Sequence, residues 1–170
     1  MCHDFDKVLM DGQKLDSCST MVKIKLLFDA CSKPANTNYY LLPHPSGNSS
    51  KCTDLAVFNE HRFAFYYWIK WNVEKKAIPD LITFDWHQDL AYPDDNEKKE
   101  LKKLVLSDLS EVSFFSWARL NPLNDNHIMS AAFLNQIHNI WVVSKQSSFN
   151  DWPDKTFIDM YGGKHIIRRF

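Results

Sequence analysis

Leu81-Ile82-Thr83-Phe84-Asp85-Trp86-His87-Gln88-Asp89-Leu90 is the stretch on which the fold turns. Pro79-Asp80 precede it, and the unbroken apolar run Leu81 to Phe84 suits a buried, parallel strand better than a half-exposed edge. Asp85, His87 and Asp89 then follow at two-residue spacing. Side chains two apart leave the same side of an extended chain, so at the C-terminal end of a strand the three can converge in front of the sheet. Two carboxylates and an imidazole form a hard donor set that suits Mn(II), Fe(II) or Zn(II) better than a thiolate-preferring metal.

Working outward, Leu55-Ala56-Val57-Phe58 reads as a short strand, and Asn59 as the cap of a helix running to about Lys75 with Glu60 in its first turn. Its body, Phe63 to Trp71, is apolar nearly all round, which predicts a helix covered on most sides. Downstream, Pro93-Asp94-Asp95-Asn96 predicts a turn into a charged helix from Glu97 to Leu106, whose Lys and Glu residues read as a solvated face. A further helix covers Asp108 to Arg119, Asn121-Pro122 breaks it, and Asn124 or Asp125 caps another through Gln136. Ile140-Trp141-Val142-Val143 is a second buried strand. This alternation predicts an α/β fold with a largely parallel sheet.

Upstream of Leu55, the run Met21 to Phe28 alternates enough to be a strand, while Pro34, Pro43, Pro45 and Ser46-Gly47-Asn48-Ser49-Ser50 read as turns and an exposed loop. The chain of 170 residues, 45% hydrophobic and 14% aromatic, can bury the core of one ordinary domain spanning 1–170 without staples. Lys plus Arg number 20 against Asp plus Glu 21. That balance offers no global pull toward nucleic acid or an acidic membrane, and points to a small ligand or peptide. Cys2, Cys18, Cys31 and Cys52 share no C-x-x-C spacing and read as reduced thiols of a cytoplasmic protein. No apolar stretch reaches a membrane-spanning length, and the first residues lack the lysines of a signal peptide.

In parallel α/β sheets the ligand face lies at the C-terminal ends of the strands, where this reading puts Asp85, His87 and Asp89. His61, in the first turn after the preceding strand, projects from the same edge and is a candidate fourth ligand. His3 and His44 lie in poorly patterned segments, His138 and His165 have no acidic or imidazole neighbour at ligand spacing, and all four read as structural. Asp151 and Asp154 read as turn residues, Tyr161-Gly162-Gly163-Lys164 as a turn, and Trp86 either as pocket lining or as packing.

These residues resemble the ureohydrolases, the arginases and agmatinases, in which a strand ends in a manganese-binding Asp-x-His-x-Asp motif, here Asp85-Trp86-His87-Gln88-Asp89. The closer likeness is to the arginase-like branch containing peptide arginases, which convert arginine residues of peptides to ornithine. It is carried by Asn59-Glu60-His61 before an aromatic helix, by Phe84 to Leu90, and by Asn124-Asp125-Asn126-His127 ahead of Ile140 to Val143, covering about residues 55 to 145. The resemblance implies a three-layer arginase-like fold and hydrolysis of a guanidinium group to urea. It also implies that Asp85 bridges two Mn2+ ions, that His61 and Asp89 complete one site, and that His87 belongs to the other. Two such ions, about 3.5 Å apart, lower the pKa of a shared water and supply hydroxide at neutral pH. His127 is then the candidate proton shuttle and Asp125 its catalytic companion. The substrate would be an arginine-containing peptide or a small guanidino compound, with neither nucleic acid nor membrane as partner.

The family supplies two further ligands from an Asp-x-Asp pair at the end of a later strand, and no such strand and pair follow Val143. Asp4-Phe5-Asp6 has the spacing but no apolar run ahead of it. The expectation is therefore an arginase-like fold incomplete at its C-terminal end, as a fragment or a shortened homologue holding one ion or none. The alternatives are a zinc-dependent deacetylase-like amide hydrolase, which uses an Asp-x-His pair for one ion, and a catalytically incomplete binding module.

Overall fold

The computed structural model describes residues 34, 37–43, 45–47, 52–123, 125–145 and 153–170. In chain order they form β1 (Asn38–Pro43), β2 (Cys52–Val57), a 3-10 turn (His61–Phe63), α1 (Ala64–Lys75), β3 (Leu81–Asp85), α2 (Asp95–Leu101) and α3 (Leu109–Ala118). These are followed by α4 (His127–Phe133), β4 (Ile140–Ser144), β5 (Lys155–Ile158) and β6 (Lys164–Arg169). The expected strand Met21 to Phe28, Cys2, Cys18, Cys31, His3, His44, Asp4 to Asp6, Asn124 and Asp151 lie outside the described residues.

The class is mixed α/β. β3 pairs with β4 in parallel, Leu81 opposite Ile140 and Asp85 opposite Ser144. β6 continues the sheet in parallel and β5 closes it antiparallel to β6, giving the order β3-β4-β6-β5. The Leu55 strand behaves differently from the strand–helix alternation: β2 pairs antiparallel with β1 in a separate two-stranded sheet. Alternating sequence cannot reveal which neighbour a strand selects, because pairing partners are set by distant residues.

The largest correction concerns β3. It is parallel, but it lies at the edge of its sheet and buries only one face: Ile82 is 60% exposed and Phe84 77%. The opposite face of the same sheet supplies Ile140, Val142, Phe157 and Ile167 to the core, where they meet Phe65, Tyr66, Tyr67 and Ile69 of α1, Leu101, Val112, Phe115 and most of α4. The helices of this core thus meet one face of the sheet, and among the described residues Phe84 and Ile82 face away from it. The aromatic helix behaves as expected, since α1 is buried through Phe65, Tyr66, Tyr67, Ile69 and Asn72 and packs on α3 and α4. Each fully buried apolar side chain among them contributes roughly 1.5–3 kcal/mol.

Helix boundaries follow local chemistry. Asp94 caps α2 by accepting from the Asn96 and Glu97 amides at 2.8 Å, and Asp108 caps α3 from Ser110 and Glu111 at 3.1 Å. Asn59 caps nothing: the residue before the 3-10 turn is Glu60, without a side-chain cap bond, and α1 begins only at Ala64. α2 ends at Leu101 rather than Leu106, where amide bonds shorten to the i−3 pattern, Lys103 to Glu100 and Leu104 to Leu101. α4 begins at His127 with Asn126 in the cap position, so Asp125 is not its cap: the Asp125 carboxylate accepts from Asn121 Nδ2 at 3.0 Å and its carbonyl from the Ala91 amide at 2.9 Å. It stops at Phe133, and Asn135 just beyond has φ 53°.

Tyr161-Gly162-Gly163-Lys164 forms the expected turn, between β5 and β6. Gly162 has φ 88°, and a Cβ on Gly163 would lie 2.4 Å from Asp159 Oδ2.

Candidate metal centre

Asp85 is the last residue of β3, on the same face as Leu81 and Thr83, and its Oδ1 accepts the His87 amide at 3.3 Å. That side-chain-to-backbone bond bends the chain as it leaves the sheet. Asp89 follows at φ 49°, a left-handed conformation that costs a non-glycine residue about 1 kcal/mol and that Asp tolerates better than most. The bend and the left-handed residue turn both carboxylates toward His61, the first residue of the 3-10 turn. His61 Nδ1 stands 2.9 Å from Asp89 Oδ2 and 3.3 Å from Asp85 Oδ2. One donor atom from each of His61, Asp85 and Asp89 lies within 4.8 Å of the others.

Two carboxylates held this close repel unless a proton or cation stands between them. The Nδ1 edge of His61 faces both oxygens. A divalent cation in its place would draw on one nitrogen and two carboxylate oxygens, a hard set matched to Mn(II), Fe(II) or Zn(II). The imidazole is 54% exposed on its side chain and the carboxylates are partly covered, so the group opens to solvent.

Of the four ligand candidates the structure brings together His61, Asp85 and Asp89 and leaves His87 out. His87 is exposed, and its link to the group is the backbone bond to Asp85. Two-residue spacing would have aligned Asp85, His87 and Asp89 only if the chain had stayed extended past Asp85, and it does not. Among the described residues no further carboxylate joins the three, so these donors fit one ion and not the two of the complete family site. Trp86 is exposed and carries the Lys145 ammonium 4.6 Å from its ring centre, and it is not among the three donors.

His127 does reach the site. It is 5% exposed, stacks on Trp68 with centroids 5.8 Å apart, and meets the His61 ring edge-on at 6.1 Å. Asp125 braces the loop before it through Asn121 and Ala91. On the opposite side of the motif, Arg169 Nε donates to Gln88 Oε1 at 3.0 Å, joining the loop to the end of β6. Burial pulls the Arg169 guanidinium below its usual range.

Two groups escaped sequence reasoning. Glu97, expected on a solvated face, is half-buried and accepts Asn126 Nδ2 on both oxygens, at 2.7 and 2.9 Å. Burial pushes its carboxyl above the ordinary range, and the Asn126 bond opposes that only in part. His165 does have an acidic neighbour, its Nε2 lying 3.0 Å from Asp159 Oδ2 with both side chains 1% exposed, and so does the exposed His138, whose Nδ1 is 3.2 Å from Asp80 Oδ1. No local pattern marks the first pair, whereas an Asp and a His flanking a Gly-Gly turn could have signalled the second.

No family model matches this chain, and no curated protein matches it. Among the described residues no helix is long and apolar enough to cross a membrane.

Proposed function

We propose that this protein is a metal-dependent hydrolase of the arginase type, releasing urea from the guanidinium group of an arginine within a peptide or of a small guanidino compound and leaving ornithine. The observation that carries the reading is the convergence of His61, Asp85 and Asp89, from two elements 24 or more residues apart, on one point at the C-terminal end of a parallel strand. A three-layer arginase-like architecture belongs to the same proposal.

His61, Asp85 and Asp89 would hold one divalent ion, with Mn2+ the first choice for this donor set. When bound, such an ion supplies the Lewis acidity that makes water a nucleophile at neutral pH. The chain's own groups do the rest. His127, held between Trp68 and His61, passes a proton to the leaving amine. Asp125 fixes the approach of that loop to the motif through Ala91.

Urea release from an arginine-containing peptide, measured with purified protein and added Mn2+, tests this directly, and loss of all release in Asp85→Asn is expected. Urea release that survives the substitution or needs no metal would overturn the proposal. A single-ion donor set also favours a second reading, a zinc-dependent deacetylase-like amide hydrolase. Activity with Zn2+ on an acetylated amine and none on a guanidinium would select it.

A further inference from the structure

We infer that Glu97 is a positioning residue that sets His127 beside the metal-binding group by holding Asn126. An Asn at the start of a helix ordinarily turns its side chain onto its own helix's free amides. Asn126 makes no such cap bond. Its amide instead reaches across to α2, donating to both oxygens of Glu97 at 2.7 and 2.9 Å, while Ser130 Oγ, one turn into α4, lies 3.4 Å from the same carboxylate. Asn126 is 3% exposed, so the bond forms in a setting where a lost partner is costly.

The next residue in the chain is His127. Its ring plane is set by Trp68 on one side and it reaches His61 on the other. α4 starts without an acidic residue in its first turn and without a side-chain cap, so the carboxylate of α2 anchors that start together with the Asp125 bonds to Asn121 and Ala91. Glu97 itself is held from below, in the first turn of α2 behind the Asp94 cap. The chain of support therefore runs Asp94, Glu97, Asn126, His127. A cleft of about 360 Å³ lined by Asp94, Glu97, Glu100, Arg119 and Asn121 runs along the outer side of the carboxylate. The role given to His127 rests on the hydrolase reading. The positioning of its ring does not.

The experiment is histidine modification by diethylpyrocarbonate, read residue by residue by mass spectrometry, on wild type, Glu97→Ala and Glu97→Gln. Buried His127 should react slowly in wild type, about ten-fold faster in Glu97→Ala as local protection is lost, and within two-fold of wild type in Glu97→Gln, whose amide oxygen still accepts from Asn126. His165, 1% exposed in a different part of the fold, should stay protected in all three. Where wild type releases urea, Glu97→Ala should also lower kcat roughly 10- to 100-fold with KM unchanged, and Glu97→Gln should restore most of it. His127 remaining protected in Glu97→Ala, or His127 and His165 opening together, would overturn the inference. Absence of urea release from wild type would sink the hydrolase reading and leave the modification result standing.

Discussion

Replacing His165 with alanine probes the Asp159–His165 pair that closes the β5–β6 hairpin. His165 Nδ1 lies 2.7 Å from the His138 carbonyl, which can only accept, so that nitrogen carries a proton. One further proton lies between Nε2 and Asp159 Oδ2 across 3.0 Å. Oδ1 of the same carboxylate accepts the Tyr161 amide at 2.7 Å and the Gly163 amide at 2.8 Å. In His165→Ala those two amide bonds survive, but Oδ2 is stranded at a site 1% exposed and the His138 carbonyl loses its donor. A lost charge-assisted bond and a lost neutral one, with an uncompensated buried charge, amount to about 3–4 kcal/mol. For a chain of 170 residues that corresponds to a fall in Tm of roughly 10 °C, or about 1.5–2 M in urea midpoint. Asp159→Asn is the control. Its carbonyl keeps both backbone donors, and its amide can donate to an unprotonated Nε2 while Nδ1–H stays on the His138 carbonyl, so the cost should be about 1 kcal/mol.

The pH dependence of the pair has a definite sign. Burial pushes the Asp159 carboxyl up, but the bonds from His165, Gly163 and Tyr161 outweigh it and hold the group below the ordinary carboxylate range. A depressed folded pKa gives stability that is fully present above the unfolded value of about 3.9 and is lost as pH falls through the folded one. Urea unfolding of the three proteins at pH 7 and at successively lower pH should therefore show wild type losing its advantage over Asp159→Asn on acidification. A His165→Ala protein within 1 kcal/mol of wild type at pH 7, or an Asp159→Asn protein as damaged as His165→Ala, would show that the pair does not hold the hairpin.

Asp85→Ala should weaken Mn2+ binding, measured by titration calorimetry, by about 100-fold or more, while His87→Ala changes it less than about three-fold; equal losses would put His87 back among the ligands. Gly163→Ala should destabilise the protein by at least about 2 kcal/mol in thermal unfolding, because its Cβ would strike the buried Asp159 carboxylate at 2.4 Å, and a neutral result would mean the hairpin can shift. Glu97 carries the opposite sign to Asp159. Burial raises its pKa, so its contribution is fully present below the unfolded value and is lost as pH rises through the folded one. Stability of wild type relative to Glu97→Gln should therefore improve on acidification, as read from paired urea melts.

The residues that declared themselves in the sequence are those whose partners lie within a few positions. Pro93 to Asn96 lead into a helix, Gly162 and Gly163 make the turn between β5 and β6, and α1 shows its aromatic body directly, because turn chemistry and periodicity act over four residues or fewer, whereas the caps are Asp94 and Asp108 and not the expected Asn59 or Asp125. Leu81 to Asp85 was legible as a strand that pairs in parallel and delivers Asp85 and Asp89 to its C-terminal end. Its burial was not, since Ile82 and Phe84 read the same in sequence whether a second layer covers them or, as here, the helices of the core meet only the other face.

The inventory of donors, and the strand end on which Asp85 and Asp89 fall, follow from local sequence alone. The tertiary structure decided the membership of the site: a bend at Asp85 and a left-handed Asp89 bring both carboxylates onto His61, 24 and 28 residues earlier, and turn His87 out. It also decided that Glu97 would hold Asn126 across 29 residues and Asp159 would meet His165 across a hairpin. Such meetings depend on how whole elements pack, and the burial that makes an unpaired polar group costly exists only once they have packed.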